Sequence, residues 1–145
     1  MTKTAIFAAG CFWGIEEKFL STDGVVETEV GYIGGKTSSP TYQDVCEGNT
    51  NHAEAVRVHY NEEKITYDSL LDIFFDIHDP TQLNRQGPDF GTQYRSSIFV
   101  LDEFQKMSAQ NKINILNQHK YNGCIVTTIE EAKEFWLAEE YHQKY

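Results

Sequence analysis

The order of apolar and polar positions predicts strands and helices that are interspersed along the chain. Apolar runs bounded by turn residues predict strands at residues 4–9, 25–33, 53–60, 95–101 and 124–129. Apolar positions three to four apart predict helices at residues 11–21, 67–78, 103–119 and 130–141, with one helical turn at 42–46. The polar, Gly- and Pro-marked segment 79–93 predicts a long loop, a kind of element that often carries function in compact domains.

The size of the chain and the mixture of elements predict one domain of the α+β class. The 145 residues, 1–145, are too few for two well-cored domains, and we interpret them as a single domain. Strands and helices do not alternate strictly, so we expect a sandwich with helices packed on a mixed sheet. A hydrophobic content of 40% excludes disorder for the bulk of the chain.

Charge and cysteine usage narrow the possible partners and the compartment. Twelve basic against 22 acidic residues leave a formal charge of −10, which disfavours general binding to nucleic acid or to a membrane surface. Three cysteines without a Cys-x-x-Cys pair fit a reducing compartment, and we expect the cytoplasm. Residues 3–11 look like a lipoprotein signal, but their apolar stretch is too short for one.

Cys11 is a candidate nucleophile because it stands where a predicted strand gives way to a predicted helix. The first N–H groups of a helix have no internal partners, and the helix dipole is positive there. We therefore expect a lowered pKa for the Cys11 thiol and a larger thiolate fraction at neutral pH. The alternative is a small buried hydrophobe, and the placement alone leaves the two interpretations about equal.

Glu54 is a candidate general acid on the predicted strand 53–60. Alternation places His52, Glu54, Val56 and Val58 on one face of that strand, with Arg57 on the other. A carboxyl on an apolar face has a raised pKa and can donate a proton at neutral pH. The alternative, a carboxylate in water or paired with Arg57, is somewhat favoured by spacing alone.

Other polar and aromatic residues carry weaker signals. A tyrosine can donate a hydrogen bond to an oxyanion, and among the tyrosines at positions 32, 42, 60, 67 and 94, Tyr94 is best placed for this. No spacing typical of metal ligands occurs, so we expect no metal and no bound cofactor. The terminal segment 139–145 is interpreted as a solvated helix end.

Several short motifs together resemble one family, the peptide methionine sulfoxide reductases of type A. The first motif is Gly-Cys-Phe-Trp-Gly at residues 10–14, followed by Glu16. The others lie at residues 31–35, 40–42, 48–56, 78–82, 85–89, 91–96 and 138–143. The resemblance covers nearly the whole chain in order, which makes it highly specific.

The resemblance implies a fold, a reaction and a set of site residues. It implies an α/β sandwich with a ferredoxin-like core, and reduction of the S epimer of methionine sulfoxide, free or in proteins. By motif, Cys11 is the nucleophile and Glu54 protonates the sulfoxide oxygen, to which Tyr42 and Tyr94 donate hydrogen bonds. Phe12 and Trp13 then form the pocket for the S-methyl group, and Asp89 binds the substrate backbone or amine.

The same resemblance raises a question about how oxidised Cys11 is recycled. Many members of the family carry resolving cysteines in a glycine-rich tail, which is absent from these 145 residues. The internal candidates are Cys46 and Cys124, and we expect both to be buried structural thiols. The simplest hypothesis is direct attack by an external thiol, such as thioredoxin or a small reductant, on a monomeric enzyme. Asn51 replaces a usual glycine and should tolerate the positive φ of that turn.

Two other classes of function remain as alternatives. A cysteine amidase or protease would need a histidine base beside Cys11, for which His52 and His78 are the candidates. A non-catalytic module could bind methionine-containing peptides through Phe12 and Trp13. Neither alternative explains the set of Cys11, Glu54 and the two tyrosines together.

Overall fold

The computed structural model of the protein describes residues 2–48 and 50–143. Its strands are β1 (Thr2–Ala9), β2 (Val25–Ile33), β3 (Ala53–Asn61), β4 (Arg85–Gln86), β5 (Asp89–Phe90), β6 (Ser96–Val100), β7 (Thr128–Glu131) and β8 (Trp136–Leu137). Its α-helices are α1 (Phe12–Leu20), α2 (Tyr42–Cys46), α3 (Tyr67–Asp76) and α4 (Glu103–Leu116). Short 3₁₀ turns lie at Thr92–Tyr94 and Glu140–His142. None of the helices in these described residues is long and apolar enough to cross a membrane.

Six of the strands form one mixed sheet in the order β7-β6-β1-β3-β2-β8. β1 pairs antiparallel with both β3 and β6, whereas β6 and β7 are parallel. The succession β1-α1-β2-β3-α3-β6 is a ferredoxin-like arrangement, with the first strand in the centre of the sheet. The expected α+β class, the mixed sheet and the ferredoxin-like core are therefore confirmed.

The helices pack on one face of the sheet around Phe7 of β1. The Phe7 ring stacks on Phe19 of α1 at 5.2 Å and on Phe74 of α3 at 5.3 Å between centroids. The opposite face has a smaller apolar cluster, which Ala132 and Phe135 cover from the C-terminal segment. The central strand is consequently buried on both sides, as its nearly continuous apolar run predicts.

The C-terminal prediction is wrong, because residues 130–141 form no α-helix. β7 pairs with β6, Ala132 and Phe135 pack on one face of the sheet, and β8 then pairs with the edge strand β2. The segment that joins β7 to β8 has apolar side chains for both faces of the sheet. The spacing of these apolar positions resembles the apolar stripe of an amphipathic helix. Here strand pairing overrides helix propensity.

Smaller differences concern the ends of three elements. α3 ends at Asp76, two residues before its predicted end, and α4 ends at Leu116 in a π-helical turn that closes at Asn122 with φ 56°. The strand predicted from residue 124 begins only at Thr128. The five-residue connection between Asn122 and Thr128 is thus irregular rather than extended.

The central position of Phe7 makes it a sensitive test of the packing. We expect Phe7→Ala to lower the free energy of unfolding by about 3–5 kcal/mol, the usual cost of a cavity left by a buried phenylalanine. Phe104→Ala, at a position 68% exposed on α4, is the matched control and should change it by less than about 0.5 kcal/mol. Urea unfolding of both variants measures this, and equal losses would contradict a core centred on Phe7.

Candidate active site

Cys11 occupies the N-cap position of α1, directly after the central strand. Its backbone is extended, with φ −61° and ψ 126°, and the helix begins at the next residue. The chain turns at Gly10, whose φ of +97° disfavours any side chain. A Cβ there would also lie 2.9 Å from the Cβ of Gln86. The predicted strand-to-helix placement of Cys11 is therefore confirmed, and it requires glycine at position 10.

The loop 79–93 lies over this turn and brings Asp89 to the site. The Gln86 side chain accepts a hydrogen bond from the Asp79 N–H and donates one to the Asp79 carbonyl, each at 2.9 Å. β4 and β5 then pair Gln86 with Asp89 in a small hairpin. The charge of Asp89 is close enough to raise the pKa of both Cys11 and Glu54.

Glu54 lies on β3 opposite Tyr32 of β2, and only 1% of its surface is exposed. One carboxyl oxygen, Oε1, accepts a hydrogen bond from the Phe12 N–H at 3.3 Å. The other, Oε2, has no hydrogen-bond partner among residues 2–48 and 50–143. Burial raises the pKa of Glu54 to about 8, against the lowering effect of the Phe12 hydrogen bond.

Burial therefore favours the interpretation of Glu54 as a neutral carboxylic acid, which spacing alone made the less favoured of the two. With a pKa of about 8, the group is mostly protonated at neutral pH. The alternative pairing with Arg57 is wrong, because the Arg57 guanidinium bonds Glu29 at 2.8 Å.

The pKa of the Cys11 thiol is raised, which corrects the expectation of a lowered value. Burial is the largest cause, and the charges of Glu54 and Asp89 act in the same direction. A hydrogen bond from the Trp13 N–H lowers the pKa, as a helix N-terminus should, but does not overcome the other effects. The prediction failed because the burial of the thiol, and the two acidic groups from segments more than forty residues away, arise only in the folded chain.

Tyr42 and Tyr94 border the same site from two different elements. Tyr42 begins α2, and Tyr94 ends the 3₁₀ turn before β6. Burial raises the pKa of each phenol above its usual value, and the charge of Glu54 adds to the effect on both. Both phenols therefore stay protonated and can donate hydrogen bonds.

The two aromatic residues after Cys11 belong to a cluster with Tyr42 and His142. The Tyr42 ring lies 6.4 Å from both the Phe12 and the Trp13 ring and 4.3 Å from the His142 ring. The Trp13 indole N–H donates a hydrogen bond to Nδ1 of His142 at 2.9 Å. Phe12 is buried and Trp13 half-buried, so the cluster offers an aromatic surface beside the thiol.

Three residues near the C-terminus hold this cluster, and the sequence analysis missed them. Glu139 accepts hydrogen bonds from the Tyr32 hydroxyl and from the Tyr42 N–H, each at 2.9 Å. His142 is 1% exposed, and the Gln143 side chain bonds both backbone groups of Val30 at 2.9 Å. The interpretation of this segment as a solvated helix end is wrong. The only sequence signal was the motif at residues 138–143.

Neither candidate histidine base faces Cys11. The His52 ring accepts a hydrogen bond from the Gly35 N–H at 3.0 Å and contacts the Thr37 carbonyl at 2.8 Å, at a cleft of about 560 Å³ bordered by residues 34–38 and 130–136. The His78 ring bonds the Phe74 carbonyl and the Ser96 hydroxyl at 2.6 and 2.7 Å. Burial lowers the pKa of His78 to about 4. The cysteine amidase alternative therefore lacks its base.

Two expectations about nearby residues have opposite outcomes. Asn51 adopts φ 62°, so the positive dihedral expected at this turn is confirmed. Cys46 and Cys124 are free and exposed, so the expectation of two buried structural thiols is wrong.

Across the described part of the chain, no cluster of three or more His, Cys, Asp or Glu side chains could hold a metal ion.

The fold and the site together define an α+β enzyme equipped with a thiol and a carboxylic acid side by side. The chain belongs to the peptide methionine sulfoxide reductase family, whose model matches residues 3–145, and it is an oxidoreductase. An MsrA of Methanoculleus marisnigri is 54% identical over 142 residues, covering 97% of this chain and 87% of that protein.

Solved structures agree with this assignment. Reduced Mxr1 from Saccharomyces cerevisiae has a TM-score of 0.94 at 41% identity, over 99% of this chain and 83% of Mxr1. Mxr1 in complex with Trx2 has a TM-score of 0.72 at 30% identity, over 96% of this chain and 82% of that chain.

The effect of the acidic groups on the pKa of Cys11 can be tested by titration of the thiol. In a background of Cys46→Ser and Cys124→Ser, we expect Glu54→Gln and Asp89→Asn each to lower the pKa of Cys11, because each removes a negative charge that disfavours the thiolate. The alkylation rate with iodoacetamide as a function of pH measures this pKa. Glu47→Gln, which alters an exposed carboxyl, is the control. An unchanged pKa in Glu54→Gln would show that burial alone sets it.

Proposed function

We propose that the 145 residues form one catalytic domain that reduces the S epimer of methionine sulfoxide, free or in proteins, to methionine. One observation carries the proposal. In a member of this reductase family, a buried acid of pKa about 8, Glu54, is hydrogen-bonded to the first turn of the helix that Cys11 caps. A sulfoxide sulfur is a poor electrophile until its oxygen is protonated, so the reaction needs a thiol and a neutral acid together.

The substrate binds with its reactive group between the thiol and the aromatic cluster. The half-buried Trp13 indole supplies the surface for the S-methyl group, and the buried Phe12 ring supports it from below. Tyr42 and Tyr94 donate hydrogen bonds to the sulfoxide oxygen. Asp89, half-buried on β5, binds the substrate backbone or amine. A stereogenic sulfur placed by three such contacts is accepted in one configuration only.

The reaction proceeds by attack of the Cys11 sulfur on the sulfoxide sulfur while Glu54 protonates the oxygen. The two phenols stabilise the charge that develops on that oxygen. The hydroxyl group then passes from the substrate sulfur to the Cys11 sulfur, and the bond between the two sulfurs breaks. Methionine leaves with the electron pair and Cys11 becomes a sulfenic acid, so methionine sulfoxide is reduced and the thiol is oxidised. The reaction uses no metal and no bound cofactor.

A thiol reductant returns Cys11 to the thiol state. We expect thioredoxin or a similar dithiol, and the complex of the related Mxr1 with Trx2 supports this partner. Three free cysteines suit a reducing compartment, so the proposed location is the cytoplasm and the proposed form is a monomer. A net charge of −10 argues against nucleic acid or membrane partners.

The reaction is tested with each pure epimer of N-acetylmethionine sulfoxide in a single turnover. We expect one methionine product per enzyme from the S epimer and none from the R epimer. Cys11→Ser should form no product. Glu54→Gln should slow the step by about 10²–10⁴-fold, the usual contribution of a general acid. Glu47→Gln is the carboxyl control. A Cys11→Ser variant that keeps the function would favour the peptide-binding module instead.

The pKa values predict an alkaline pH profile. The productive enzyme holds an ionised Cys11 and a protonated Glu54, although the pKa of Glu54 is about 8 and burial raises the pKa of Cys11 above that of an ordinary thiol. We therefore expect kcat/KM to rise with pH up to about 8 and to fall above the pKa of Cys11, where both groups are ionised. In Glu54→Gln the fall should disappear. An optimum at pH 6 in the wild type would contradict this assignment.

A further inference from the structure

Cys46 lies at the edge of the proposed active site, one helical turn from Tyr42. Tyr42 is the first and Cys46 the last residue of α2, and side chains four positions apart share a helix face. A hydrogen bond with the Cys46 side chain contributes to the raised pKa of the Tyr42 phenol, after burial. The Tyr42 ring lies 6.4 Å from the rings of Phe12 and Trp13, so Cys46 shares the helix face that packs against the two residues after Cys11.

The segment that carries Gln93 and Tyr94 also contacts Cys46. The buried Gln93 side chain donates a hydrogen bond to the Cys46 carbonyl at 3.3 Å, and Tyr94 follows directly in the chain. The Cys46 thiol also lies close enough to Tyr94 and to Cys11 to raise the pKa of both. The thiol of Cys46 thus interacts with both tyrosines that border the site, and the residue is exposed.

From this juxtaposition we propose that Cys46 is the resolving thiol of the enzyme. The proposal rests on the proposed function, which supplies the sulfenic acid on Cys11. The Cys46 sulfur attacks the Cys11 sulfur, the S–O bond breaks, and the hydroxide takes up the Cys46 proton and leaves as water. The Cys11–Cys46 disulfide so formed is the species that the external dithiol reduces, and it replaces the direct attack expected from the sequence.

The local packing allows α2 to adjust for this bond. A disulfide requires Cα atoms about 4.4–6.8 Å apart. α1 is anchored by the buried Phe12, Ile15 and Phe19, whereas α2 buries only Val45. The Thr41–Asp44 capping box holds the first turn of α2 in place. The movement that brings Cys46 to Cys11 therefore falls on the last turn, which carries Cys46.

A stoichiometric experiment tests the proposal on the 145-residue chain, with Cys124, which is also exposed, as the control. Reduced protein is mixed with one equivalent of N-acetylmethionine-S-sulfoxide without recycling thiol, and thiols lost per methionine product are counted. Wild type and Cys124→Ser should lose two thiols per product and yield a Cys11–Cys46 peptide pair on mapping. Cys46→Ser should lose one, and its sulfenic acid should react with dimedone. This ratio does not depend on the rate of reduction.

The outcomes separate this proposal from the proposed function. One thiol lost in the wild type, two lost in Cys46→Ser, or a disulfide from Cys11 to Cys124 would overturn the role of Cys46 and leave the reductase intact. Absence of methionine from every variant would overturn the proposed function. A second arm oxidises Cys11 with one equivalent of hydrogen peroxide, which forms the same sulfenic acid without substrate. A Cys11–Cys46 disulfide in that arm supports Cys46 as resolving thiol even if reduction fails.

Discussion

The contact between the Glu54 carboxyl and the first turn of α1 is the constraint on which the chemistry of this protein depends. Burial disfavours the carboxylate, so the group holds a proton at neutral pH, and among the described residues the Phe12 N–H is its hydrogen-bond partner. The same closeness makes an ionised Glu54 raise the pKa of Cys11. The acid and the thiol therefore titrate as a coupled pair, and neither can be tuned without the other.

The position of that pair follows from the pairing of β1 with β3. β1 leads into Cys11, and β3 carries Glu54 two residues before Val56, which pairs with Phe7 of β1. A shift of one residue would turn Glu54 to the other face of the sheet, because side chains alternate along a strand. The packing of Phe7 between α1 and α3 holds this register. The core thus positions the reacting groups although none of its aromatic rings takes part in the reaction.

A second long-range arrangement closes the aromatic side of the site. The Gln143 amide bonds both backbone groups of Val30, as a neighbouring strand would, and so fixes the C-terminal segment at the edge of the sheet. From there Glu139 holds the N-terminus of α2, and His142 packs among the rings of Phe12, Trp13 and Tyr42. The residues that orient the aromatic wall therefore come from both ends of the chain.

The sequence by itself determined the first five main elements and the placement of Cys11, because these depend on local periodicity. For Glu54 the spacing alone slightly favoured an ionised carboxylate, and burial in the folded chain favours the neutral acid instead. Tertiary structure decided the rest. The segment after residue 130 pairs as strands because an unpaired sheet edge was available to it. The pKa of Cys11 is raised rather than lowered because the folded chain buries the thiol and brings Glu54 and Asp89 close to it. Electrostatic effects and the pairing of strand edges depend on distances between residues that are remote in the sequence. The pattern of residues along the chain does not contain those distances.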